Sequence, residues 1–219
     1  VHVSKVWPRL AFAIALAAVS LASAPRLAAA VDRAKLEQAL EKYDGNAIRP
    51  MGREVLPVLV SMYEAGDESR REKVAAILYQ LGWPSPEAKR ALMKDVKTPN
   101  QALRLHVQYA LGRVSADDDV VDVLLDNMQH DGNALFRDKA ACSLAYDQIH
   151  LTPRQKARLY EGLIGALDST ELQVRQIALQ ALQIQTGQTK GFEPGAPLGE
   201  RHRALEAWRR WVSEYRANL

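Results

Sequence analysis

Apolar residues recur along most of the chain at i, i+3, i+4 and i+7, the spacing that lines one face of an α-helix. The alternating Val, Ile and Thr runs that would signal strands are missing. From Val55 onward the pattern is cut at intervals by short polar loops, which predicts helices of about 10 to 16 residues. Four of these segments align on an arginine: Arg71, Arg104, Arg137 and Arg175, at spacings of 33, 33 and 38 residues. Three residues after each stands Val74, Val107, Ala140 or Ala178, and seven residues after each stands Leu78, Leu111, Leu144 or Leu182. These two positions share a helical face, so every unit buries the same stripe. Small residues six positions on (Ala110, Ser143, Ala181) allow another helix to approach closely. Asp67, Asn100 and Asn133, four residues ahead of the first three arginines, are good acceptors for the free N–H groups of a helix start. Ser169 and Thr170 stand near the same place in the fourth.

Each of these helices (B) follows another amphipathic one (A). The A helices are expected over Val55 to Gly66, Pro86 to Val96, Asp117 to Met128 and Pro153 to Leu167. One such pair cannot cover its own apolar face, but stacked pairs can. The B helix therefore reads as Asp or Asn, an apolar residue and Arg, two residues, Ala or Val, three residues, Leu. This pattern, with Leu103-Arg104, Phe136-Arg137 and Val174-Arg175 at its apolar-Arg step, resembles the HEAT repeat. Arg70-Arg71 departs at the apolar position, and 33 residues is shorter than the usual unit of about 40 to 47. Short bacterial HEAT-like repeats are the nearer comparison. The tail is similar to the closing segment of bacterial HEAT-like proteins: Thr186-Gly187-Gln188, Gly191-Phe192-Glu193-Pro194, Glu200-Arg201, then Trp208-Arg209-Arg210-Trp211. Gly187, Gly191, Pro194, Gly195, Pro197 and Gly199 also argue for a loop on their own. Leu205, Trp208, Trp211, Val212 and Tyr215 then make one face of a closing helix.

The expected fold is thus all-α: an α-solenoid of about four HEAT-like helix pairs with N-terminal and C-terminal capping helices. Residues 31–51 form an N-terminal capping helix (Val31 to Tyr43) and linker. Residues 52–186 form the repeats, and residues 187–219 a loop and the second cap.

Residues 1–30 read differently. Lys5 and Arg9 precede the apolar run Leu10 to Leu21, which is shorter than the roughly 20 residues needed to span a bilayer. Two Ala-x-Ala sites follow, and cleavage after Ala30 avoids leaving Pro25 at the new N-terminus. This is the pattern of a secretory signal peptide, so a periplasmic or secreted protein is expected. The full chain has 29 Lys+Arg and 26 Asp+Glu. Residues 1–30 hold three of those bases and no acid, so residues 31–219 are balanced at 26 of each. No basic footprint for nucleic acid is left. Cys142 is the one cysteine, which excludes an internal disulfide and reads as a small buried residue.

Motifs for chemistry are missing: there is no P-loop, Rossmann glycine pattern, Gly-x-Ser-x-Gly, His-Glu-x-x-His or Cys-x-x-Cys. His130, Asp131, Asp147 and His150 could suggest a metal. A helix of about 14 residues, about 20 Å long, separates the two histidines and places them at opposite ends of a pair. Asp117, Asp118 and Asp119 open a helix, where carboxylates complement its positive end. The aligned arginines read as a structural ladder to neighbouring carboxylates, with an anion or acidic partner as the alternative. Trp208 and Trp211 have the spacing of a packed stripe. No catalytic residue, cofactor or metal is expected. The HEAT resemblance implies that the B helices line the concave side. There His106, Gln108, Tyr109, Arg113, Lys139 and Tyr146 are the candidates for a partner surface. The function that follows is an exported scaffold for protein–protein interaction in the cell envelope, monomeric, without stable membrane insertion once the leader is removed. Two alternatives stand beside it: a small-molecule-binding enzyme resembling the HEAT-like bilin lyases, and a structural part of an envelope assembly.

Overall fold

The structure, a computed structural model, describes residues 31–219. The leader expected over residues 1–30 lies outside the described residues. Among the described residues every regular element is helical. The helices are α1 (Arg33–Glu41), α2 (Gly45–Ile48), α3 (Leu56–Ala65), α4 (Glu68–Leu81), α5 (Pro86–Met93) and α6 (Gln101–Val114). They continue with α7 (Asp118–His130), α8 (Ala134–Tyr146), α9 (Pro153–Ala166), α10 (Leu172–Thr186) and α11 (Leu198–Ala217). Two short 3₁₀ turns join α2 to α3.

The helices pack as pairs, α3 with α4, α5 with α6, α7 with α8 and α9 with α10. The second members form a continuous row, α4 on α6, α6 on α8 and α8 on α10. The residues of the repeated stripe explain this. Val74, Val107, Ala140 and Ala178 are wholly buried, and so are Leu111, Leu144 and Leu182, with Leu78 at 1% exposure. Asp67, Asn100 and Asn133 cap their helices as expected, accepting from the backbone N–H of Arg70, Leu103 and Leu135 at 2.9 to 3.0 Å. The fourth repeat differs: α10 starts at Glu171 without a side-chain cap, and Ser169 Oγ instead accepts from the N–H of Glu171.

The aligned arginines close the A-to-B loops. Arg71 donates to both carboxylate oxygens of Asp95 at 2.9 Å, and Arg104 pairs with Asp131 while lying 4.1 Å over the Phe136 ring. Arg137 and Arg175 use carbonyls instead. Arg137 donates to Asp131 O at 2.7 Å, and Arg175 to Ser169 O and Thr170 O at 2.8 and 2.9 Å. The ladder expected from repetition is real, but half of it ends on backbone. The aspartates that open α7 also do more than complement a helix end. Lys89 of α5 lies 3.0 Å from Asp117 and 2.6 Å from Asp119, tying one pair to the next.

Two features of the element layout differ from expectation. α5 stops at Met93 and not at Val96, because the Asp95 carboxylate is drawn to Arg71 and to the Tyr63 hydroxyl at 2.7 Å. The following turn tightens into Lys94 N–H to Ala91 O and Asp95 N–H to Leu92 O bonds. At the N-terminus a second short helix, α2, follows the expected cap, and both lie on α4. Gln80 of α4 accepts from Gly45 N–H at 2.9 Å and donates to Tyr43 O at 2.8 Å. A Cβ on Gly45 would stand 2.8 Å from the Gln80 side chain, so this close approach needs glycine. At the C-terminus the expected loop is pinned by Phe192 of the closing-segment motif, which is buried.

Candidate functional site

The outer face of the B row is built by helix geometry. At about 100° per residue, the positions two, five and nine after each aligned arginine cluster opposite the buried stripe. In α6 these are His106, Tyr109 and Arg113; in α8 they are Lys139, Cys142 and Tyr146; in α10 they are Ile177, Gln180 and Ile184. α4 adds Tyr79, and the turn after α1 adds Tyr43.

Five of the six candidates land on this face. His106 is half-buried, its Nδ1 3.0 Å from Ala102 O and 3.6 Å from the Glu72 carboxylate. Tyr43 donates to the same carboxylate at 3.0 Å, and its ring lies 6.2 Å from the His106 ring. Tyr109 is half-buried against Tyr79 at 6.0 Å between rings, and burial pushes its phenol up from the ordinary value. Arg113 lies 4.3 Å over the Tyr79 ring and donates from Nε to Asp147 at 2.8 Å. Lys139 pairs with Asp138 at 2.8 Å, which holds its ammonium above the ordinary range. Tyr146 is 59% exposed, Ile184 beside it is exposed too, and so is Ile149.

Gln108 is the correction. It is wholly buried, and neither amide atom finds a protein partner. It stands four residues after Arg104, only about 60° from the Leu111 position, so it turns inward with the stripe. Its backbone carbonyl accepts from Ser143 Oγ of α8 at 2.7 Å. Cys142 is also not the buried residue expected. It is half-buried on the face, and desolvation raises its thiol. It lines a shallow cleft between α8 and α10 with Asp138, Tyr146, Gln180 and Ile184.

Reasoning from sequence missed Tyr43, Glu72, Tyr79 and Ile184. Ile184 was available from the repeat alignment, since it stands nine residues after Arg175 as Tyr146 does after Arg137. Tyr43 was not, because it reaches the face through the fold of α1 onto α4.

His130 and His150, which the sequence sets at opposite ends of a helix pair, have separate partners. His130 Nδ1 lies 3.0 Å from Asp126. His150 Nε2 lies 3.0 Å from Gly82 O and 2.9 Å from Arg113 O, bridging the C-terminal ends of α4 and α6. Among the described residues, no group of three or more metal-ligating side chains comes together. At the C-terminus, Trp208 is buried with its indole donating to Thr189 O at 3.1 Å, while Trp211 stacks on Tyr215 at 5.6 Å. These rings pack the end of the stack.

A row of helix pairs whose second members pack in an unbroken succession defines an α-solenoid. Residues 56–145 match the family model described as HEAT repeats, and the all-helical stack of pairs fits a HEAT-repeat protein. HEAT repeats are generally scaffolds for protein interaction. No curated protein matches the chain. No helix of the described residues is long and apolar enough to cross a membrane.

Proposed function

We propose that this chain is an exported interaction scaffold that holds a partner protein in the cell envelope along its B-helix face. The observation that carries the reading is the set of half-exposed tyrosines, Tyr43, Tyr79, Tyr109 and Tyr146, on one side of the B row. Tyrosine gives large contact area at low entropic cost and keeps a hydroxyl for hydrogen bonding, which suits recognition. Export rests on the leader pattern of residues 1–30. A photo-crosslinker at Gln180 in intact cells tests the surface. The wild type should capture a defined envelope protein, and Tyr109→Ala with Tyr146→Ala should lower that capture at least tenfold while the melting curve stays cooperative. Undiminished capture by the double variant would remove this face from the proposal. Mass spectrometry of the native protein tests export: a chain beginning near Val31 supports it, and an intact leader on a cytoplasmic protein defeats it.

A further inference from the structure

The step from the second helix pair to the third is unlike the others. The A helices pack in succession, α3 on α5, α7 on α9 and α9 on α11, but α5 and α7 do not pack on each other in this way. α5 is the short member, and the turn after it carries Lys97. What joins the two A helices is charge: Lys89 to Asp117 and Asp119, and Lys97 to Asp126 at 2.6 Å. Lys97 and all three aspartates are about half exposed, so water and salt compete with these pairs.

The interior of the same step holds buried polar side chains among its apolar ones. Asn127 of α7 donates to Val96 O at 3.3 Å, and its own carbonyl oxygen finds no protein partner. Gln148, after α8, is buried against Gly112 of α6, with its Oε1 unanswered. Gln108 lies between α6 and α8 with both amide atoms unanswered, and Arg104 Nε of the Arg104–Asp131 pair is unanswered as well. Among the described residues, five of the six buried side-chain polar atoms without a partner sit at this one step. A buried amide that no group answers disfavours the closed arrangement, and admitting water relieves it. The A helices lack direct packing where this penalty is concentrated, so opening is easier here than between other pairs.

We infer that the step between the α5–α6 and α7–α8 pairs is a hinge, at which two halves of the repeat stack (residues 56–114 and 118–186) move as bodies. The consequence falls on the B face. Tyr79 and Tyr109 belong to one half, and Tyr146 and Ile184 to the other. Arg113–Asp147 and the His150 bridge to Gly82 and Arg113 cross between the halves at their C-terminal ends. A partner that bridged both halves would select one opening angle and stiffen the step. This last clause rests on the proposed function; the hinge itself does not.

Spin labels in the free full chain test it, with Cys142→Ser as background. Three pairs of exposed positions are used: Ser69→Cys with Ala102→Cys inside the first half, Ala134→Cys with Gln176→Cys inside the second, and Ser69→Cys with Gln176→Cys across both. The cross-half distance distribution should be at least twice as wide as either within-half distribution. Gln108→Leu, which removes the unanswered amide, should narrow it and raise the urea midpoint. Equal widths for all three pairs would overturn the hinge, as would a Gln108→Leu variant that folds but leaves the width unchanged. If Gln108→Leu does not fold, the three wild-type distributions decide alone. Failure here leaves the interaction reading intact, because no partner is present in the experiment.

Discussion

Asp147 is a carboxylate whose surroundings change its chemistry. Its carboxyl is buried, and burial raises its pKa above the ordinary carboxylate value, with Arg113 pulling the other way. A carboxyl with a raised pKa binds its proton more tightly in the folded state. Its contribution to stability is therefore full below the unfolded pKa and is lost as pH rises through the folded one. Asp147→Asn keeps an acceptor for Arg113 and removes the titration. The variant should gain stability relative to the wild type as pH rises from about 3.5 to 7, read as a growing difference between urea midpoints. A difference that stays constant over this range would show that the carboxyl is not held up by burial. At this scale the sequence was legible where a position is defined by helical angle. His106, Tyr109, Arg113, Lys139 and Tyr146 all face outward because they share the same offsets from the aligned arginines. Gln108 was misplaced because polarity was allowed to outweigh its angle.

At the scale of elements, the capping residues separate helices that the hydrophobic pattern treats alike. Asn100 accepts from Leu103 N–H at 3.0 Å, while Glu171 at the start of α10 caps nothing with its side chain. Asn100→Ala should lower stability by about 1 kcal/mol, the usual effect of losing a helix cap. Glu171→Ala should change it by less than about 0.5 kcal/mol, as for a surface site away from such features. Urea unfolding of the two variants checks this, and equal losses would show that the capping oxygen is not what distinguishes the two helix starts. Caps, repeats and the closing helix could be read from the sequence because each is a local pattern of spacing. The early end of α5 could not, since it is set by Arg71 and Tyr63 of the preceding pair. The α2 helix was equally hidden: Gln80 of α4 holds its first residue, more than thirty positions away.

Over the whole described chain, a stack of pairs has two ends to cover, and the C-terminal end uses two different devices. α11 lies on α9 and continues the A row. The loop of residues 187–197 leaves α10 at Gly187 and comes back to Arg175, which donates to Pro194 O at 2.8 Å. α11 also pins that loop, through Trp208 to Thr189 O and Arg201 to Ala196 O at 3.1 Å. Removing residues 198–219 should therefore uncover both members of the last pair, not α9 alone. The repeated leucines report this. Leu111 sits deep in the stack and Leu182 in the last pair, and both are wholly buried. In the full chain, Leu111→Ala and Leu182→Ala should each lower stability by about 2–5 kcal/mol. In the truncated chain the Leu111→Ala loss should persist, while the Leu182→Ala loss should fall to a small fraction of its value, because α10 then frays before the rest unfolds. Urea denaturation of the four variants, with hydrogen exchange on α10, measures both. If Leu182→Ala keeps its full effect without α11, the last pair is stable uncovered and α11 is not a cap. If neither leucine matters in the full chain, the stacking of equivalent positions is itself wrong.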